Sequence, residues 1–274
     1  MRNLDEASIT QAVLARNSGT ADQRLCEVMT SFVQHLHAFA RDIRLTEKEW
    51  QSGMDFLAEA AAICSPDRQE FLLLSHTLGL STLVLAQNSK KRSGGTEATS
   101  IGSQPTSSPP LYDLGANISA EGTGAKCHVR GKVRDIKGNP VPGASIQVCV
   151  ASNGACDQAL LQADHVGEYH FWTVLPDSQP IQADGPVGTL LAALNRHAWR
   201  PAHMQFTLRA QGYQPLTTQV FREGDPYLDS DAVFGVRSSL IAQWSCHEPG
   251  PAADGSVLNE TFYSLNFNFV LTSQ

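Results

Sequence analysis

Leu25, Val28, Met29, Phe32, Val33, Leu36, Phe39 and Ile43 recur at steps of three and four. That spacing predicts an amphipathic helix with one apolar stripe. Thr46-Glu47-Lys48-Glu49 has the form of a capping box, and a helix carrying Trp50, Met54, Phe56 and Leu57 follows it. Ser8 with Gln11 predicts an earlier cap of the same kind. Ser65-Pro66 supplies an N-cap and a proline at N1, opening a helix through Phe71, Leu72, Leu74, Leu78 and Leu80 toward Leu85, interrupted at Gly79. From residue 127 the period changes to two. Val129, Gly131 and Val133 alternate with charged residues, Tyr169, Phe171 and Thr173 share a face, and Met204, Phe206 and Leu208 alternate with His203, Gln205 and Thr207. Phe262 to Leu271 alternates as one closing strand. Asp135 to Pro140 reads as a hairpin turn. Short strands at this spacing predict a β-sandwich or barrel.

The fold class expected is therefore α+β, with helices over 1–88 followed by an all-β domain over 111–274. Between them, 15 of the 23 residues from 88 to 110 are Ser, Thr, Gly or Pro, which predicts a linker or irregular loop over 89–110. Lys90-Lys91-Arg92 within it reads as a solvated charge run. The stretch from Leu175 to Gly188 is too rich in Pro and Gly for strand or helix, and reads as a loop walling a site or crossing between strands.

Composition narrows the function. A net charge of −7 excludes the basic footprint that nucleic acid or an anionic membrane surface requires. No run of 18 apolar residues spans a membrane, and the first residues lack a secretory h-region. Six scattered cysteines without a C-x-x-C pair argue against a disulfide framework and for a reducing, cytoplasmic setting. No nucleotide loop, H-E-x-x-H or G-x-S-x-G occurs. The densest polar run is Asn195 to Gln205. His203 and Gln205 share a strand face there, but an amide oxygen is a weak partner for a metal-binding histidine. His203 alone reads as a hydrogen-bonded structural residue or a catalytic one. Arg196 and Arg200 read as anion-recognising groups, or as partners of Asp225 or Asp229.

These runs, with Leu45 to Trp50, Arg68 to Phe71, Thr77 to Ser81, Gly131 to Val133, Gly138 to Ala144, Asp184 to Gly188, Arg200 to His203 and Gly224 to Tyr227, resemble the intradiol ring-cleavage dioxygenases of hydroxyquinol and catechol 1,2-dioxygenase type. The resemblance covers nearly the whole chain. It implies a β-sandwich catalytic domain and an N-terminal helical homodimerisation region, often with lipid in an interface channel. It also implies ferric iron held by two tyrosines and two histidines. Carried onto this chain, Cys156 and Gln179 stand at the tyrosines, His203 at one histidine and Gln205 at the other. The expectation is therefore that three of four ligands are replaced and that no metal or other cofactor is bound. Arg200 and Gln219 match residues beside the aromatic ring. Tyr112, Leu80, Val84, Ile101, Ala232 and Val233 match the cavity lining.

The reading that follows is a repurposed, metal-independent cyclase, isomerase or pericyclic catalyst. Its substrate would be an aromatic, quinone-methide-like or polyketide-derived molecule of secondary metabolism. His203 would be the acid or base, Arg200 the oxyanion stabiliser, Gln219 a further catalytic group, and Gln179, Gln205 and Cys156 would contact substrate. A non-catalytic pseudoenzyme used for binding or dimer-mediated regulation, and an iron-dependent 1,2-dioxygenase with an atypical metal site, stand as alternatives.

Overall fold

The computed structural model describes residues 3–89, 94–99, 109–119, 124–152 and 155–274. Two compact units divide it, Met1–Glu59 and Ala60–Gln274.

The first unit holds α1 (Ile9–Asn17), α2 (Gln23–Asp42) and most of α3 (Glu47–Ala62). Asp22 caps α2 by accepting from Leu25 N. At α3 the capping box forms as expected. Thr46 N donates to Glu49 Oε2, and Glu49 N donates to Thr46 Oγ1. At α1 it does not form, because Ser8 is taken by Asp5, which receives both its N–H and its hydroxyl. Of the α2 stripe only Val33 is buried, while Leu25, Val28, Phe32, Leu36, Phe39 and Ile43 lie exposed.

In the second unit α4 (Glu70–Thr77) and α5 (Leu80–Ser89) meet at a bend of 75°. Gly79, at φ +73°, makes the corner, a conformation that favours glycine. The helix expected from Ser65 starts five residues later. Ser65 and Arg68 exchange backbone hydrogen bonds of 2.8 and 3.2 Å, which holds the intervening residues in a turn. No single helix among the described residues is long and apolar enough to cross a membrane.

The β region runs β1 (Lys126–Asp135), β2 (Ser145–Ser152), β3 (Ala155–Gln162), β4 (Glu168–Val174), β5 (Gln179–Pro180), α6 (Pro186–Ala193), β6 (Trp199–Arg200), β7 (His203–Arg209) and β8 (Leu216–Arg222). After these come β9 (Ile241–Ala242), β10 (Ser245–His247), β11 (Gly250–Pro251), β12 (Val257–Leu258), β13 (Phe262–Asn266) and β14 (Phe269–Leu271). One sheet is ordered β10-β13-β1-β14, with β4 also paired to β1, and the other β3-β2-β7-β8-β9. Their inward residues, among them Val129, Phe171, Leu265 and Phe269 from one sheet and Ile146, Val148, Met204 and Phe206 from the other, form one core. This is the sandwich that the alternation predicts.

The structure confirms one turn and corrects two expectations. The hairpin turn at Asp135 to Pro140 forms as expected, with Arg134 bridged antiparallel to Pro140 and Asp135 N donating to Asn139 O, and beyond it the chain crosses from one sheet to the other. Pro186 begins α6 at its first turn, so helix starts inside the stretch expected to be loop. The closing strand is split into β13 and β14, because the chain rises over Gly131, where Phe267 N donates to Arg130 O and Tyr169 Oη donates to Phe267 O. Part of the expected linker is tied to both sheets. Thr96 exchanges hydrogen bonds with Val270, and Thr99 N donates to Thr217 O. The Lys90-Lys91-Arg92 run lies outside the described residues.

A methyl group at Gly131 would sit 1.7 Å from Phe267 O, a backbone atom with little room to retreat. Gly131→Ala is expected to destabilise by more than 2 kcal/mol, as substitutions that force backbone apart do. A urea midpoint unchanged within error would contradict this.

Candidate functional site

Sheet register gathers the candidate residues on the outward face of the β3-β2-β7-β8-β9 sheet. Cys149 lies opposite Gln205, and Gln205 opposite Gln219. His203, two residues before Gln205, shares that face. On the β5–β6 ladder Gln179 lies opposite Arg200. Polar side chains can stand here because the core needs only the alternate positions, Ile146, Val148, Met204 and Phe206.

The centre of the arrangement is Arg200. Its Nε and Nη2 donate to the two carboxylate oxygens of Asp231 at 3.0 and 3.2 Å, and Nη2 also donates to Gln219 Oε1 at 3.1 Å. Asp231 accepts further from Val233 N and Gly235 N. Burial, the largest influence on the Asp231 carboxyl, pushes its pKa up. The charge and hydrogen bonds of Arg200 and the two backbone donors outweigh burial and hold it below the usual carboxylate range. The arginine partner expected among Asp225 and Asp229 is thus Asp231. Asp225 instead accepts from Ser178 Oγ, Ala202 N and Tyr227 N. Arg196 donates to the Thr77 and Ala232 carbonyls and lies over the Phe234 ring. Local sequence carries no signal for the Arg200–Asp231 pairing, since 31 positions separate them.

His203 Nδ1 donates to Pro201 O at 2.7 Å, so Nε2 holds the free lone pair and faces Arg200 Nη1 at 3.4 Å. Burial first, and then the charge of Arg200, push its pKa down to about 4. At neutral pH it is an uncharged imidazole whose one acceptor atom points at a guanidinium. The unfolded chain takes up a proton near pH 6.5 that the folded chain refuses until about pH 4. Stability is therefore complete above pH 6.5 and falls as pH drops toward 4, by about 3 kcal/mol from this group. Urea midpoints measured from pH 7.5 to 4.5 check this. His203→Gln should flatten the slope, and an unchanged slope would remove His203 as its source.

Cys156 is corrected most. It is bonded to Cys149, with Cα atoms 5.7 Å apart, so it is not the free thiol expected to contact substrate. The register explains the pairing: Cys149 opposes Gln158, which places Cys156 diagonally across on the same face. Of the expected cavity lining, Ala232 and Val233 are buried, Tyr112 packs against the core, and Leu80 and Val84 are exposed. Ile101 lies outside the described residues.

Two features escaped sequence reasoning. Gln219 is buried, and its Nε2 has no hydrogen-bond partner while its Oε1 is held by Arg200. A buried donor left open beside a fixed cation suits a polar ligand atom, because leaving it unmatched costs about 1–3 kcal/mol. A cavity of about 570 Å³ lies on the Asp231 side of this network, lined by Arg196, His197, Asp229, Asp231, Ala232 and Phe234 among others. Phe234 stands at φ +56°, an unfavourable conformation for a bulky side chain.

Taken together, the helical start and the two-sheet sandwich define a ring-cleavage dioxygenase architecture. Residues 22–96 match the catechol dioxygenase N terminus and residues 111–273 match the dioxygenase family, and the chain belongs to that family of enzymes. It is 43% identical to the 6-chlorohydroxyquinol 1,2-dioxygenase of Cupriavidus pinatubonensis, over 99% of each chain. It is 38% identical to the hydroxyquinol 1,2-dioxygenase of Nocardioides simplex, over 97% of this chain and 95% of that one. The crystal structure of hydroxyquinol 1,2-dioxygenase from Pseudomonas putida DLL-E4 superposes with a TM-score of 0.90 at 37% identity, covering 98% and 99% of the two chains.

These relatives overturn the expectation of a metal-independent cyclase or isomerase of secondary metabolism. Similarity this high over whole chains runs to 1,2-dioxygenases, and the expectation of a pseudo-dioxygenase falls with it. The donor set that the resemblance implies is a separate matter. Cys156, Gln179, His203 and Gln205 supply a sulfur already bonded to Cys149, two neutral amides, and one imidazole whose lone pair meets Arg200. Among the described residues no three His, Cys, Asp or Glu side chains converge to hold a metal ion. Ferric iron asks for hard anionic oxygen donors, and these four residues do not fit it as they stand.

Proposed function

We propose that this protein is a hydroxyquinol-type aromatic 1,2-dioxygenase with an atypical metal site, in which three of the four positions that hold iron in the family carry other residues. The observation that carries the reading is 43% identity over 99% of both chains to a 6-chlorohydroxyquinol 1,2-dioxygenase. The network on the sheet face supports it from the side of the substrate. Arg200, held by Asp231, is a cation of the kind that suits a phenolate oxygen, and the unmatched Gln219 Nε2 is a donor of the kind that suits a ring oxygen. His203, kept neutral, contributes an acceptor rather than a proton. Because the donor set does not fit ferric iron, no step is assigned to the metal.

The proposal extends to the assembly, a homodimer formed through the N-terminal helices. Its support is the exposed apolar stripe of α2, which water disfavours in a free monomer. Helices over 1–88, a loop over 89–110 and the sandwich over 111–274 are the proposed domains.

The test is oxygen uptake by the purified protein supplied with iron, offered benzene-1,2,4-triol or catechol, with bound metal measured on the same sample. Oxygen uptake faster with the triol than with catechol is expected. No uptake and no bound iron would overturn the reading and leave a member that binds the ring without cleaving it.

A further inference from the structure

A second cavity, of about 450 Å³, lies on the outward face of the other sheet, between β1, β4 and the end of β13. Its lining includes His128, Arg130, Lys132, His170, Asp254 and Asn266. The ring of His128 is almost wholly buried, stacked on Trp172 at 4.7 Å and edge-on to His170 at 5.9 Å. Its Nε2 has no hydrogen-bond partner, with Asp254 Oδ2 4.0 Å away, and the buried Nδ1 of His170 has none either. Two imidazoles that each carry an unmatched nitrogen line this cavity, which is uncommon, since buried polar groups are nearly always matched.

The charges around them choose between ligands. Lys132 is paired with Glu168. Asp254 accepts from Trp172 Nε1 at 2.6 Å and from Ser256 N at 3.0 Å. Arg130 is exposed and has no carboxylate partner among the described residues. Burial, ahead of the opposing pull of Asp254, holds the His128 pKa below its ordinary value, so that ring is uncharged near pH 7. Arg130, Lys132, Glu168 and Asp254 balance in formal charge, and Arg130 is the one of the four without an ion-pair or side-chain hydrogen-bond partner among the described residues. A dianion would be repelled by Asp254 and Glu168. A metal ion finds no three converging ligands among the described residues. A singly charged carboxylate carrying neutral hydroxyls matches the arrangement, with the planar guanidinium of Arg130 taking the carboxylate and the two imidazoles taking hydroxyls.

We propose that this cavity is a binding site for a small hydroxycarboxylate, separate from the Arg200–Asp231 site on the opposite sheet. It is tested on the full chain by titration calorimetry with D-glycerate, using glycerol and inorganic phosphate for comparison. Saturable glycerate binding is expected, with glycerol and phosphate each weaker. Arg130→Gln, at an exposed position, should keep the fold by circular dichroism and weaken glycerate at least tenfold. Absence of saturable glycerate binding would overturn the proposal. So would equal affinity in Arg130→Gln, or phosphate binding tighter than glycerate. None of these readouts depends on ring cleavage, so this proposal and the dioxygenase reading can fail separately.

Discussion

Arg200→Ala is expected to destabilise the protein by about 3–5 kcal/mol, the range seen when one partner of a buried ion pair is removed. Asp231 would be left with its carboxylate out of water, matched only by Val233 N and Gly235 N. Gln219 would lose the donor on its Oε1 and become open at both ends of its amide. The pH dependence gives a second signature. Without Arg200 the Asp231 carboxyl loses the charge that offsets burial, so its pKa rises. Asp231 now stabilises above the unfolded carboxylate range and loses that contribution as pH falls through its depressed folded value; in the variant the order reverses. Urea midpoints at pH 7 and 5 read both effects. Arg200→Lys should recover only part of the loss, because an ammonium cannot reproduce the two-pronged contact of Nε and Nη2 with Asp231. Full recovery in the lysine variant would show that charge alone matters here.

Replacing Phe32 and Phe39 together with aspartate should convert a dimer to a monomer. Both rings are more than half exposed, on the stripe that also carries Leu25, Val28, Leu36 and Ile43. Burying one such side chain yields about 1.5–3 kcal/mol, so a stripe of six would dominate an interface, and two carboxylates facing their own copies would oppose it. Light scattering at micromolar protein reads the mass directly. The helix should survive, since Val33 is the one buried residue of α2 and stays in place. A parental protein that is already monomeric would overturn the proposed assembly.

Much of the scaffold was legible along the chain. The three- and four-residue steps of α2, the capping box of α3 and the alternation of β1, β4 and β7 depend on neighbours a few positions away, and each formed where its pattern lies. Gly79 as a break between helices is equally local. The failures share a cause. Ser65 lost its helix to a backbone pairing with Arg68, the closing strand was split by its passage over Gly131, and the Pro186 segment turned helical. At the α6 entrance, Glu70 Oε1 accepts from Val187 N across 117 positions, a capping contact invisible to any local window.

At the site the division is sharper. Motif resemblance determined the family and the residues to compare, because short runs such as Arg200 to His203 keep their order whatever surrounds them. It led to the wrong activity, because the expected loss of ligand types outweighed whole-chain similarity in that reading. Only the folded structure decided that Asp231 answers Arg200, that Cys156 is bonded to Cys149, and that His203 is uncharged with its lone pair toward a guanidinium. Those properties arise from burial and from the distance between charges, and neither exists until β2, β7, β8 and the loop carrying Asp231 are brought together.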